Sequence, residues 1–300
     1  MILCDAHCDT LYNLVTKPGE KTDLTMDRLI KGGVNLQTMA MYVGPKATQQ
    51  EVDLLMDNML LAFEELKSQG WTQAFDPSEA EEDTVKFMLS IEGCEPFQNG
   101  LHAIARFREK GVRMAAIVWN HSNDLATSHL VDATTGLTAF GLKAIKEMQR
   151  LGIAPDVSHL NEAGFWDILN KTDRPPVASH SCARALCDHT RNLTDEQLKA
   201  MFHAGGWVGV NFFPKFLSSS GHATLDTVVD HIDHMYQVGG AGQVGFGSDF
   251  DGINSKPEGL ETPADFPKLI EGLRKRGYSK QDIKSIAGLG FIRYFERLSA

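Results

Sequence analysis

Long apolar runs are missing from this 300-residue chain. No stretch approaches the ~20 apolar residues that cross a bilayer. The opening MILCDAHCDT has neither the basic start nor the apolar length of a secretory signal. These absences set the expectation of a cytoplasmic protein without a membrane partner. Cysteine is scarce: Cys4, Cys8, Cys94, Cys182 and Cys187 make an odd number with no C-x-x-C pair, which speaks against a disulfide framework and against a thiolate zinc site. Reduced, structural thiols are expected. Clustered positive charge is also absent. With a net charge of −10 and scattered Lys and Arg, nucleic acid is not an expected partner, and a small molecule is. No G-x-G-x-x-G opens a helix after the first apolar run and no G-x-x-x-x-G-K-[ST] occurs, so a nucleotide-binding open sheet loses its main support.

What is present is regular. Eight short apolar runs read as strands: Ile2 to Ala6, Val34 to Tyr42, Phe87 to Ile91, Val112 to Val118, Ile153 to Val157, Pro176 to Ser179, Trp207 to Phe212 and Val244 to Gly247. Between them, Thr48 to Lys67, Leu137 to Leu151, Leu193 to His203, Leu225 to Val238 and Phe266 to Lys275 carry apolar residues at helical spacing. Asn161 and Thr194 stand where N-caps belong, and Gly32-Gly33, Gly205-Gly206 and Gly239-Gly240 stand where helices should stop. Repeated βα units over one stretch of this length predict a single α/β domain, 1–300, folded as a (β/α)8 TIM-type barrel, which commonly takes about 250 residues. The tail from Tyr278 to Ala300 reads as two extra short helices packed against the barrel end.

In such a barrel the chemistry sits at the carboxyl ends of the strands. There the sequence places His7 and Asp9 (DAHCD), Glu92 (SIEG), His121 (IVWNH), His159 (PDVSH), His180 (VASHS), and Asp249 with Asp251 (GFGSDFDG). The second and seventh runs end in nothing comparable. His7 and Asp9, two apart on an extended strand, project to one side and can converge on one point. Imidazoles and carboxylates are what zinc-like metals take as ligands, at ~2.0–2.2 Å. Two metals roughly 3.5–4 Å apart, bridged by a carboxylate, would use His7, Asp9, Glu92, His159 and His180 and leave room for water and substrate. Asp249 is then free to move protons. Singly, each residue has a structural explanation in a cap or a turn; five strand ends sharing ligand chemistry do not. His231 and His234, flanked by Asp230 and Asp233, read as a solvated helix face, and DFDG has its glycine too early for a calcium loop. His102, His129, His189, His203 and His222 receive no role.

The segments DAHCDT, SIEG, DVSH, SHSCARALCDHTRNLTDEQL and VGFGSDFDG, in this order along almost the whole chain, resemble the motifs of the membrane (renal) dipeptidase family, zinc peptidases of the amidohydrolase superfamily. The resemblance implies two Zn2+ per chain bridged by Glu92, one also held by His7 and Asp9, the other by His159 and His180. It further implies that His121 polarises the scissile carbonyl, that Arg191 of the RN pair holds the substrate's terminal carboxylate, and that Asp249 is the acid/base. The implied activity is hydrolysis of dipeptides, including those with a D-residue in the C-terminal position. A homodimer is compatible with these features. The alternative enzyme is a related binuclear-metal amidohydrolase acting on a lactone, cyclic amide or N-acyl amino acid, since the metal centre alone does not choose among them. A silent metal-dependent binding protein would have no need of Asp249.

Overall fold

A computed structural model describes residues 1–44 and 48–299; Ala300, the last residue of the expected tail, lies outside the described residues. Nine strands occur among the described residues: β1 (Cys4–Asp5), β2 (Leu36–Tyr42), β3 (Thr72–Gln73), β4 (Lys86–Glu92), β5 (Val112–Ala116), β6 (Ala154–Asp156), β7 (Val177–Ala178), β8 (Trp207–Val210) and β9 (Val244–Phe246). All pair in parallel, and eight of them close a ring in which β1 pairs with both β2 and β9 while β2 pairs directly with β4. This is the expected (β/α)8 barrel, and each expected run coincides with one barrel strand, β4 reaching one residue beyond its run at either end.

The ninth strand, β3, was not expected. Thr72 and Gln73 pair with Lys86 and Phe87 of β4, below the point where β5 takes over that edge at Leu89. Two residues of pairing leave too little alternation to be legible in a sequence. The short helices Thr10–Thr16, Met26–Gly32 and His102–Glu109 also fall outside the expected spans, because one or two turns present too few apolar repeats.

The long helices form where their caps put them. At Gln49–Ser68, Thr48 and Glu51 make a reciprocal capping box, and Val52, Met56, Met59 and Phe63 are buried along one side. Thr194 does the same with Gln197, and the Asn161 side chain accepts from Gly164 N–H. Gly33 ends its helix in the left-handed region, at φ 69°, where a side chain would be strained. One apolar core lies between barrel and helices. A second closes the amino end of the barrel, where Phe291, Tyr294, Phe295 and Leu298 of the last helix, Gly290–Ser299, meet Met88, Met114, Val177 and Trp207 from the strands. The expected tail is therefore a plug. All five cysteines are buried and unpaired, and among the described residues no helix is long and apolar enough to cross a membrane.

Candidate metal centre

With the amino end sealed, the carboxyl end is left to hold polar groups. His7 and Asp9 follow β1, Glu92 ends β4, His159 follows β6, His180 follows β7 and Asp249 follows β9. All six are buried. Glu92 lies in the middle with its oxygens divided: Oε2 is 3.7 Å from His7 Nε2, while Oε1 is 2.9 Å from His159 Nε2 and 3.4 Å from His180 Nε2. His7 Nε2 is also 3.4 Å from Asp9 Oδ2 and 3.9 Å from Asp249 Oδ1. The rings of His7 and His180 stack at 3.8 Å, and the ε nitrogens of His159 and His180 stand 3.1 Å apart.

Two groupings bring ligand atoms within 4.8 Å of one another: His7 with Glu92 and His180, and His7 with Asp9 and Asp249. Asp249 thus stands beside the expected ligands at ligand range. His7 Nε2 and Asp9 Oδ1 are buried without a hydrogen-bond partner, which is costly unless something else satisfies them. A Cβ on Gly252 would collide with Asp9 Oδ2 and Asp249 Oδ1, so the chain keeps the space behind these carboxylates clear. Imidazoles and carboxylates converging with orphaned electron pairs fit divalent cations.

Burial governs the charge state of this cluster. Burial alone would lower the His7 imidazole, yet Glu92, Asp9 and Asp249 together outweigh it and push it up to about 10. His159 and His180 are held well below the usual histidine range by burial, then by the positive charges of His7 and Arg191. Burial raises Glu92 far above the carboxylate range, with the Asp9 charge adding to it. Asp249 is pushed up to about 7 by burial and by Asp9, against the opposing pull of His7, Asn211 and Arg191.

The backbone is arranged to aim these groups. His159, Asp249 and Asp251 sit at φ 69°, 64° and 67°, left-handed conformations that a non-glycine residue holds only when its surroundings impose them. His180 Nδ1 is 2.6 Å from Ser179 Oγ, which in turn donates to Asp156. His159 Nδ1 is 2.9 Å from Asn120 Oδ1. Such contacts fix which ring nitrogen faces the centre. Asn211, just after β8, donates 2.8 Å to Asp249 Oδ2, and Tyr42, the end of β2, lines the cleft above. The second and seventh barrel strands thus end in nothing comparable to the ligand-type groups, as expected, yet each still places a residue at the site. Their residues, an asparagine and a tyrosine, are not ligand types and gave no signal. Asp156 lies inside the segment PDVSH, but only its position against Ser179 reveals its use.

Above the cluster opens a cleft of about 300 Å3. Asp9, Glu92, His159 and Asp249 line it together with Tyr12, Tyr42, Trp119, Asn120, Phe213 and Phe216. His121 is exposed beyond this wall, its ring stacked 5.6 Å from Trp119. Arg191 is buried behind the wall, with its guanidinium 5.4 Å from the centre of the Phe216 ring. It donates to the His180 carbonyl at 3.1 Å and to Ser181 Oγ at 3.4 Å, while its Nε has no partner. Asp251 accepts from Thr10 and from the Asp23 N–H and so braces the loop beside the cleft. His129, with no role foreseen, lies between Asn120 and Thr190.

A family model described as membrane dipeptidase, peptidase family M19, matches residues 1–300. The chain belongs to the membrane dipeptidase family. The resemblance read from the motifs is borne out, and with it the enzyme class, a hydrolase of peptide bonds. Relatives include an uncharacterized dipeptidase of Schizosaccharomyces pombe, 34% identical over 222 residues, covering 71% of this chain and 53% of its own. Mouse dipeptidase 3 is 30% identical over 288 residues, covering 91% and 57%. The chain thus spans a little over half the length of these two relatives. Among solved structures, a metallo peptidase from Rhodobacter sphaeroides bound to a phosphinate mimic of the dipeptide L-Ala-D-Ala superposes with a TM-score of 0.91 at 27% identity, covering 99% of both chains.

Proposed function

We propose that this protein is a zinc-dependent dipeptidase with two metal ions, held by His7, Asp9, Glu92, His159 and His180, and that its substrates include dipeptides with a D-residue in the C-terminal position. The observation that carries the reading is the division of the Glu92 carboxylate, one oxygen toward His7 and the other toward His159 and His180, on the floor of a cleft of about 300 Å3. A carboxylate so placed would let Glu92 offer one oxygen to each of two cations. The Rhodobacter complex with an L-Ala-D-Ala mimic supports the substrate class.

Two such cations, when bound, supply a Lewis-acid pull on a carbonyl oxygen and a water acidic enough to ionise near neutral pH. The chain supplies the rest. Asp249 has one oxygen tied to Asn211 and the other facing the centre, so a single oxygen is free to take the proton of the attacking water and return it to the leaving amine. Burial and the neighbouring Asp9 charge raise this carboxyl's affinity for a proton above the usual carboxylate range in the metal-free site. Arg191 keeps Nε in reserve, and in this reading it pairs with the substrate's terminal carboxylate. His121 would act from the rim, beyond Trp119.

The test is turnover of a panel of L-L and L-D dipeptides by zinc-loaded protein, alongside Asp249→Asn. That variant should keep its metal and lose about 10²–10⁴ in kcat. Near-normal turnover would move the proton to another group. No dipeptide hydrolysis, with turnover of a lactone or cyclic amide instead, would replace the reading by the alternative amidohydrolase.

A further inference from the structure

Trp119 and Asn120, side by side on the loop after β5, line the cleft, and the Asn120 side chain is clamped. Its Oδ1 lies 2.9 Å from His159 Nδ1 and 3.2 Å from His129 Nε2, and His129 Nδ1 lies 2.7 Å from Thr190 Oγ1. One set of protons satisfies all three contacts. His159 turns Nε2 toward Glu92 and His180; with a cation on that nitrogen its proton sits on Nδ1 and is donated to Asn120. The same oxygen can only accept, so His129 donates to it from Nε2, and its Nδ1 then accepts the Thr190 hydroxyl. The backbone closes the frame: His129 N–H donates at 3.0 Å to the carbonyl of His159, the residue held at φ 69°.

An amide group is planar, with its oxygen and its NH2 on opposite sides. Once two imidazoles hold the oxygen, the NH2 is turned away from them, and among the described residues it has no hydrogen-bond partner. We infer that Asn120 donates from this NH2 to the substrate carbonyl oxygen on which negative charge develops, and that His129 is the positioning residue that sets the amide. The inference rests on the metal-dependent dipeptidase reading, for its substrate and for the His159 tautomer alike. A donor aimed in advance needs no reorganisation when charge appears, which is where such contacts have most effect. Asn120 stands one hydrogen bond from His159, next to the reacting centre, so its effect should fall on kcat.

Asn120→Asp separates the two ends of the amide, since it keeps an oxygen for His159 and His129 and replaces the NH2 with a second oxygen. Zinc affinity, measured by chelator competition, should be undiminished while kcat for L-Ala-D-Ala falls about 100-fold with KM within about twofold. His129→Ala should lower both zinc affinity and kcat by about tenfold, and His129→Gln, which retains a donor, should recover much of both. Unchanged kcat in Asn120→Asp, or a change confined to KM, would overturn the donor. Zinc affinity and kcat unmoved by His129→Ala would overturn the positioning. Failure of the dipeptidase reading looks different: the unmodified enzyme turns over no dipeptide, while the zinc titrations still report on the clamp.

Discussion

The two ends of the barrel are made by the same strands and use opposite chemistry. At the amino end Trp207, Phe291 and Phe295 are buried together with Met88 and Met114, apolar surface removed from water in which, among the described residues of that cluster, only the Trp207 Nε1 side-chain atom lacks a hydrogen-bond partner. At the carboxyl end His7, Asp9, Glu92, His159, His180 and Asp249 are equally buried, with orphaned atoms and left-handed backbone. One end gains stability from burial; the other gives some up to hold buried carboxylates and imidazoles, some of whose polar atoms the chain leaves without partners. In one molecule, burial alone therefore does not distinguish core from site. What distinguishes them is whether the buried atoms find partners within the chain.

Substitution at the two ends should separate accordingly, and the largest effect is expected at the top. His180→Ala should abolish turnover and lower bound zinc, seen by elemental analysis, while the metal-free protein unfolds at a similar denaturant midpoint. Full activity without metal would break the contrast at its root. At the bottom, Phe295→Ala should cost about 3–5 kcal/mol of stability through lost burial and a cavity, read by denaturant unfolding, with kcat at 25 °C unchanged. A drop in kcat at full folding would mean that the plug is wired to the site.

Arg191→Met probes the layer between. Leaving a substrate carboxylate unpaired should cost about 2–5 kcal/mol, seen as a rise in KM for free-acid dipeptides and a much smaller one for amidated dipeptides. Equal losses would make Arg191 a brace for His180 alone. The smallest effect is in pH. His7, held up to about 10 without metal, must lose its proton to become a ligand, whereas His159 and His180 are already neutral. Zinc affinity should therefore rise with pH toward about 10, by about tenfold per unit for each proton released. Calorimetry in buffers of different ionisation enthalpy would count those protons, and a count of zero would contradict the charge state derived for the free site.

By itself the sequence determined the period of the fold and which ligand-type residues gather at the carboxyl end of the barrel. Apolar runs of strand length, capped amphipathic stretches between them and ligand-type residues at the run ends are local features, and local features are legible because propensity and spacing act over a few residues. His7, Asp9, Glu92, His159, His180 and Asp249 are found together because each directly follows or ends a strand whose direction the barrel dictates. Only the tertiary structure decided what each loop residue faces. His121, exposed, and Asn120, in the cleft wall, are adjacent in sequence, and no spacing rule covers a turn's exit angle. Arg191 proves to be buried behind Phe216, and Asn211, an ordinary residue by type, is tied to Asp249 across 38 positions. Such contacts join strands that are neighbours only because the sheet closes on itself, and closure is a property of the whole ring rather than of any segment in it.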